Sequence, residues 1–361
     1  MPATGVPPTA ARLTEAAAMD LIAFGRVFLE IVFGQVPSMP GPGEEIFADE
    51  FAISCGGAVT VASAARRSGI EAGLSALLGD DLGSRVVAEH CRRAGVDLSA
   101  SRHVTGRAAG ITVVLNFAGD RAFVSYLPPH TPAGGPDTGH WLEVLREQRP
   151  AWCYLHPWPG AAAVIGQARA LGIHVALDVG LNAIDSDPRA VVSCARMADV
   201  FLPNAVELLR LTGAGSLIEA IDIAAAWCPC LVVKRGGEGA IVADAAGRTA
   251  VTEGISPVSA RDRTGAGDAF AGALIAALHG GAPIAEAAAA GNEAGSQTVT
   301  MLGAVGEVDL DGLAPAAAPL AAALLASAGG PAAPPGGGGP DAPDTSDAGP
   351  GGRAYGEDTR R

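Results

Sequence analysis

Positive charge is scarce in this sequence: 24 Lys and Arg stand against 38 Asp and Glu, a formal net charge of −14. No basic run exceeds Arg66-Arg67 or the terminal Arg360-Arg361, so the stripe that a polyanion partner needs is missing and no nucleic-acid partner is expected. Long apolar runs are missing too. No stretch reaches the ~20 residues of a membrane helix, and residues 1–18 lack a basic segment followed by an apolar run. Neither a membrane partner nor a signal peptide is expected, and the expected location is the cytoplasm. The cysteines (Cys55, Cys91, Cys153, Cys194, Cys228, Cys230) show no paired spacing, and Cys228-Pro229-Cys230 is too tight for a metal knuckle. Buried, reduced thiols are expected. His130, His140 and His156 lack ligand spacing, which argues against zinc. Aromatics are only 4% of the chain, so its core must rest on close contacts between small side chains.

Hydrophobic residues at 49% and charged residues at 17% give a globular composition. The two ends differ. Residues 1–18 form a Pro/Ala-rich leader, and 329–361 are Gly, Pro, Ala and Asp, a composition that builds no packed core; both are expected to be disordered. Between them, residues 19–328 are expected to form one domain. Strands are read at 20–27, with 28–32 continuing the first, and at 74–78. Helices are read at 57–67 and at 82–93, the second capped by Asp81 and closed by Gly95. Two β-rich runs, 110–117 and 122–126, flank the hairpin signal Gly119-Asp120. After His156 helices and strands alternate: 161–171 then 174–178, 189–197 then 200–202, 217–226 then 230–234. Short strands alternating with helices predict a mostly parallel sheet covered on both faces. A small β-rich appendage is expected from segments near 27–55 and 107–128.

The strongest local signal is Asp262-Arg263-Thr264-Gly265-Ala266-Gly267-Asp268-Ala269-Phe270-Ala271-Gly272. It follows a β-like run at 251–258 and leads into a small-residue helix at 269–278. A Gly-Ala-Gly turn opening a helix leaves backbone N–H groups unpaired and pointing outward. With the helix dipole they suit a phosphate, or the charge that develops in phosphoryl transfer. Asp268, in the first turn, can face the same point and take a proton from an attacking hydroxyl. Tight packing with an ordinary Asp cap is the competing explanation. No G-x-x-x-x-G-K-[ST] occurs, and no third glycine completes a dinucleotide fingerprint.

This segment resembles the C-terminal signature of the ribokinase-like (PfkB) carbohydrate kinase family, D-T-x-G-A-G-D. Thr264, Gly265, Ala266, Gly267 and Asp268 match, and Arg263 stands where Thr is commonest. Further stretches carry the resemblance over about residues 19–308. Gly56-Gly57 and the Ala-rich helix ending Arg66-Arg67-Ser68-Gly69 resemble the N-terminal signature, with Thr60 where an Asn is usual. Asn204-Ala205-Val206-Glu207 resembles the N-x-x-E motif, and Lys234-Arg235-Gly236-Gly237-Glu238-Gly239 the turn that holds the nucleotide. Asn292 falls where the family often places a residue near the adenine. Glu30 stands where the family's substrate-binding Asp is usual, one methylene longer. Arg121 matches a common hairpin turn that can reach the pocket; a solvated charge explains it equally well.

The resemblance implies a three-layer α/β/α fold with a small β-rich lid, and ATP and Mg²⁺ as cofactors. It implies that Asp268 acts as base, and that the Gly265, Ala266 and Gly267 amides form an anion hole. Glu30, Gly56, Gly57, Thr60 and Arg121 would meet a sugar-like small molecule. Lys234, Gly236, Gly239 and Asn292 would meet the nucleotide. Glu207 and Asn204 would order water around Mg²⁺, although spacing alone equally fits an N-cap Asn with a capping-box Glu. Lids of this family can also form homodimer contacts. Two departures on the acceptor side, Glu30 and Thr60, point to a shifted specificity. The alternatives are a kinase for a nucleoside, a kinase for a phosphorylated sugar, for which only Arg121 and Arg107 offer cations, and a non-catalytic sugar or nucleotide sensor.

Overall fold

Leu21–Phe24 is buried at every position, which a strand allows only when both faces of its sheet are covered. In the computed structural model, which describes residues 19–310 apart from 119, 129–136, 245, 247–248 and 255–259, this strand is β1. In chain order follow β2 (Val27–Gly34), β3 (Glu50–Gly57), α1 (Ala58–Arg67), β4 (Ala72–Ser75), β5 (Leu77–Leu78), α2 (Leu82–Ala94) and β6 (Arg102–His103). Next come β7 (Gly110–Asn116), β8 (Arg121–Tyr126), α3 (Thr138–Gln148), β9 (Trp152–Leu155), α4 (Ala161–Ala170), β10 (His174–Leu177), α5 (Leu181–Ser186) and α6 (Pro188–Ala195). The remainder is β11 (Val200–Phe201), α7 (Ala205–Thr212), α8 (Leu217–Ala225), β12 (Cys230–Lys234), β13 (Ala240–Asp244), β14 (Thr249–Thr252), α9 (Ala266–His279) and α10 (Ile284–Thr298).

The main sheet has the order β14-β13-β12-β11-β10-β9-β1-β4. Six strands from β4 to β12 run parallel, and β13 and β14 add an antiparallel edge. Because side chains alternate along a strand, successive residues feed opposite cores. Leu21, Ala23 and Tyr154 pack towards α1, α9 and α10. Ile22, Phe24, Cys153 and Leu155 pack towards α3, α4, α6, α7 and α8. This is the expected three-layer α/β/α architecture. On the first side Gly272 of α9 lies against α1, where a Cβ would meet Ala64 Cβ at 2.8 Å; small residues let the helices approach.

A second sheet, ordered β3-β2-β7-β8, is the β-rich lid. Its strands β7 and β8 pair antiparallel as a hairpin, as expected; Gly119 itself lies outside the described residues. Phe51, Phe123, Val124 and Tyr126 on its strands are exposed. Asp81 caps α2 by accepting the Ser84 N–H at 3.0 Å, and Gly95 closes that helix at φ 71°.

Two expectations are corrected. The run 20–32 is not one strand: β1 and β2 belong to different sheets. The break falls at Gly25-Arg26, where Arg26 O accepts the Ala58 N–H that opens α1 (3.0 Å), and a Cβ on Gly25 would meet Ala58 Cβ at 2.8 Å. Likewise 74–78 divides between β4 and β5. The Ala76 N–H turns to Ser101 Oγ, and the chain then pairs with β6. The leader 1–18, the tail 329–361, the domain end near 328, His130 and residues 255–258 of the 251–258 run lie outside the described residues. No described helix is long and apolar enough to cross a membrane, and the six cysteines are all free and buried.

Candidate active site

The Gly265 turn is built as the sequence predicts, and α9 starts three residues earlier than expected, at Ala266. Gly265 is the N-cap at φ 75°, a left-handed conformation, and a Cβ there would also meet Ala304 Cα at 2.7 Å. Glycine is therefore required twice over. The N–H groups of Gly265, Gly267 and Asp268 have no acceptor among the described residues, and Ala266 N–H reaches Arg263 O only at 3.4 Å. The unpaired donors thus extend to Asp268 itself. Buried Asp262 fixes the turn: its Oδ1 accepts the Thr264 N–H (2.9 Å) and Oγ1–H (2.6 Å), and its Oδ2 accepts the Gly303 N–H (2.9 Å).

Asp268, at the third position of α9, meets side chains from three strands. Tyr154, the third residue of β9, directs its hydroxyl towards Asp268 Oδ1 at 3.4 Å and Asp178 Oδ2 at 3.4 Å, and lies 2.8 Å from His156 Nε2. Asp178 follows β10 and pairs with Lys234 Nζ, from the end of β12, at 2.6 Å. These groups gather at the C-terminal ends of parallel strands, where open α/β sheets bind ligands. Burial raises the Asp268 carboxyl to about 7, reinforced by the charge of Asp178 and opposed by Lys234 and the Tyr154 hydroxyl. Burial acts to lower Lys234, but the Asp178 and Glu207 carboxyls outweigh it and hold the ammonium above its ordinary value. Lys234 is the single lysine of the sequence.

On the acceptor side, Glu30 in β2 is buried. Its Oε2 accepts the Ala304 N–H at 3.0 Å, and its Oε1 occupies the space a Cβ on Gly56 would fill. Burial raises this carboxyl to about 7, against the Ala304 hydrogen bond and with help from Asp262 and Asp268. The paired glycines divide the work: Gly56 makes room for Glu30, and Gly57, at φ 83°, lets the chain pass over Arg26 O into α1. Thr60 in α1 is fully buried, and its Oγ1 has no partner among the described residues. Arg121 is a correction. It sits at the hairpin end of β8, opposite Asn116, four residues along the register from Thr112, which pairs with Glu30. Its guanidinium lies over Phe123, 5.4 Å from the ring centre, and not with the acceptor group.

On the nucleotide side, Gly236 (φ 58°) and Gly239 (φ 86°) shape the short helical turn after β12. A Cβ on Gly239 would overlap Thr252 O. Asn292 donates both amide hydrogens, to Thr252 Oγ1 (3.1 Å) and Glu253 O (2.9 Å), so only its Oδ1 is left for a ligand. Lys234 departs from its expected place with the turn: it faces Asp178, and a Cβ on Gly267 would be 3.5 Å from its Nζ. Asn204 and Glu207 form a complete capping box at the start of α7, with exchanged bonds of 2.7 and 2.9 Å. The box engages Asn204 Oδ1 and Glu207 Oε2 and leaves Glu207 Oε1 outside it. Glu207 is buried, which raises its carboxyl to about 7 against the pull of Lys234. A buried acid near the Asp178–Lys234 pair fits a divalent cation held through water.

Sequence reasoning missed Tyr154, His156, Asp178 and the bracing role of Asp262. Position signals Asp178, the last residue of the strand expected at 174–178 and so at the site-forming edge of such a sheet; no strand is expected around Tyr154 and His156. Ligand-type atoms of His156, Asp178 and Asp268 lie within 4.8 Å of one another. The Tyr154 hydroxyl stands among them and the Lys234 ammonium already serves Asp178, so they are read as a hydrogen-bonded cluster and not as metal ligands.

A family model described as pfkB family carbohydrate kinase matches residues 35–309. Among curated proteins, the aminoimidazole riboside kinase of Salmonella typhimurium is 28% identical over 271 residues, covering 69% of this chain and 83% of its own length. Among solved structures, Arabidopsis thaliana ribokinase complexed with ribose and ATP aligns with a TM-score of 0.67 at 23% identity, over 80% of this chain and 95% of its own. Adenosine kinase from Sinorhizobium meliloti aligns with a TM-score of 0.67 at 18% identity, over 84% and 99%.

Proposed function

The chain belongs to the pfkB family of carbohydrate kinases, and from that membership we propose that it transfers the γ-phosphoryl group of ATP to a hydroxyl of a sugar or sugar-like small molecule. The observation that carries the reading is Asp268 in the first turn of α9, beside unpaired N–H groups of the same turn and raised to about 7. A carboxyl with that value is matched to proton removal near neutral pH.

In the proposed mechanism Asp268 takes the proton of the attacking hydroxyl, and the amides at Gly265, Ala266 and Gly267, with that of Asp268, hold the charge on the transferring group. Lys234, beside Gly267, adds positive charge at the same place. Glu207 would hold Mg²⁺ through water; bound there, the ion would neutralise phosphate charge. Glu30 and the unpartnered Thr60 hydroxyl would read the acceptor's hydroxyls, with Gly56 and Gly57 giving them room. Gly236, Gly239 and the Asn292 carbonyl would border the nucleotide. The lid, 27–55 and 107–128 within a domain 19–328, would close over the acceptor and exclude water. Its exposed Phe51, Phe123, Val124 and Tyr126 support a homodimer formed through the lid.

A riboside acceptor is the second reading, favoured by the similarity to aminoimidazole riboside kinase. An ATP-consumption screen over pentoses, hexoses, ketodeoxy acids and nucleosides separates the two. Asp268→Asn should keep ATP binding and slow transfer by about 10²-fold or more. Near-normal turnover in that variant would count directly against the assignment.

A further inference from the structure

Tyr154 is buried, whereas His156, two residues further on, is exposed beyond the strand end. The Tyr154 hydroxyl has three acceptors around it: His156 Nε2 at 2.8 Å, Asp268 Oδ1 at 3.4 Å and Asp178 Oδ2 at 3.4 Å. A phenol carries one proton and accepts through its lone pairs, so it can donate to one neighbour while accepting from another. Asp178 is already engaged. Its Oδ2 takes the Lys234 ammonium at 2.6 Å and its Oδ1 the Val179 N–H at 2.8 Å. That leaves His156 and Asp268 on the two sides of the hydroxyl, one reaching solvent and one on the cleft floor.

A base that takes a proton in each cycle must lose it before the next. With nucleotide and acceptor lying over the start of α9, the direct path from Asp268 to water would be covered. We propose that Tyr154 and His156 conduct this proton from Asp268 to solvent, an inference that rests on the reading of Asp268 as the base. The acceptor O–H bond breaks as its oxygen bonds to phosphorus, and the proton goes to an Asp268 oxygen. The carboxylic acid then gives its proton to Tyr154 Oη while the phenol's own proton passes to His156 Nε2. The imidazolium releases a proton to water, and the phenol hydroxyl turns back. One proton reaches solvent per phosphoryl transferred, and neither side chain is consumed.

The electrostatics agree with this order of events. Burial, with the charges of Asp178 and Asp268, holds the Tyr154 phenol well above its ordinary value, so the hydroxyl passes a proton on without persisting as phenolate. Tyr154 and His156 act through Asp268 and are positioning residues rather than catalytic ones.

The test uses the full chain with His156→Ala, His156→Gln and Tyr154→Phe, assayed under saturating ATP and acceptor. All three should lower kcat by about tenfold, as loss of an assisted proton transfer does, with the KM for ATP little changed. Added imidazole should restore His156→Ala in proportion to the neutral imidazole present, and should not restore Tyr154→Phe. A purely structural role for His156 predicts no rescue. Wild-type turnover in His156→Gln, or a slow His156→Ala that imidazole leaves slow, overturns the relay. Asp268→Asn, assayed alongside, separates the two readings. If it keeps turnover, the assignment of the base fails and the relay with it; if it is inactive while the His156 variants behave as wild type, the relay alone fails.

Discussion

Glu30 Oε2 accepts the backbone N–H of Ala304 at 3.0 Å, which ties the second strand of the lid sheet to the loop after α10, 274 residues further along the chain. Ala304 is buried and packs where a Cβ of Gly265 would stand. The lid and the turn that opens α9 therefore share one loop. Glu30→Ala leaves the buried Ala304 donor without a partner, which costs about 1–3 kcal/mol. The expected result is a lower melting temperature together with a raised KM for the acceptor. Glu30→Gln keeps an acceptor for Ala304 but not the charge. It should match the wild-type melting temperature at pH 5, where the buried carboxyl keeps its proton, melt above wild type at pH 8, and still raise the acceptor KM. If both variants keep the wild-type acceptor KM, Glu30 has no place in the acceptor site.

Three carboxyls, Glu30, Glu207 and Asp268, are each raised by burial from ordinary values of 4.5, 4.5 and 3.8 to about 7. Each therefore binds its proton more tightly in the folded chain than in the unfolded one. The stability this contributes is full below the ordinary values and is lost as pH rises through about 7. Activity should move the other way, because the proposed base must be ionised to act. The melting temperature is expected to fall between pH 5.5 and pH 8.5 while kcat/KM rises. Asp268→Asn should flatten the fall and melt higher than wild type at pH 8.5. A melting curve equally steep in that variant would remove Asp268 as a contributor.

What the sequence made legible was local. The Asp262 to Gly272 segment, the cap and closing glycine of α2 and the hairpin of β7 and β8 each lie within one short continuous stretch of chain. Their chemistry is complete in that window. The break at Gly25-Arg26 was hidden because apolar residues run from Leu21 to Phe33 on both sides of it, and a buried strand reads alike in either sheet. Tyr154 and Lys234 sit on separate strands and Asp178 just beyond a third, and only parallel pairing brings these strand ends together. Arg121 failed for the converse reason. A hairpin turn is recognisable, but which end of the lid faces the acceptor is set by register with β2.

The Lys234–Asp178 pair is nearly dry: the side chains are 13% and 4% exposed. Removing one partner from such a pair costs about 3–5 kcal/mol, because the other charge is left buried alone. Lys234→Met is therefore expected to be strongly destabilised, and Lys234→Met combined with Asp178→Asn less so than the single change. A double-mutant cycle on melting temperature reads the difference. Strict additivity would mean that the two groups do not depend on each other in solution. Since the chain has one lysine, an amine-reactive reagent has a single side-chain target, and ATP should protect it.

Asp262 links two loops by three hydrogen bonds, two from Thr264 and one from Gly303. Asn cannot replace it, because one carboxyl oxygen would become an NH₂ group facing an N–H donor. Asp262→Asn is expected to lose about 1–3 kcal/mol of stability for each donor left without an acceptor. It should also lose kcat, since the Gly265 turn is held in its left-handed conformation by this brace and by Ala304 behind it. Thr264→Val is the control: it removes a single hydroxyl and leaves both backbone N–H bonds to Asp262 in place. If the brace orders the turn, Asp262→Asn loses far more kcat than Thr264→Val at a temperature where both remain folded. Equal kcat in the two variants would mean that the turn keeps its shape without Asp262, and that the unpaired amides of α9 are positioned by the helix alone.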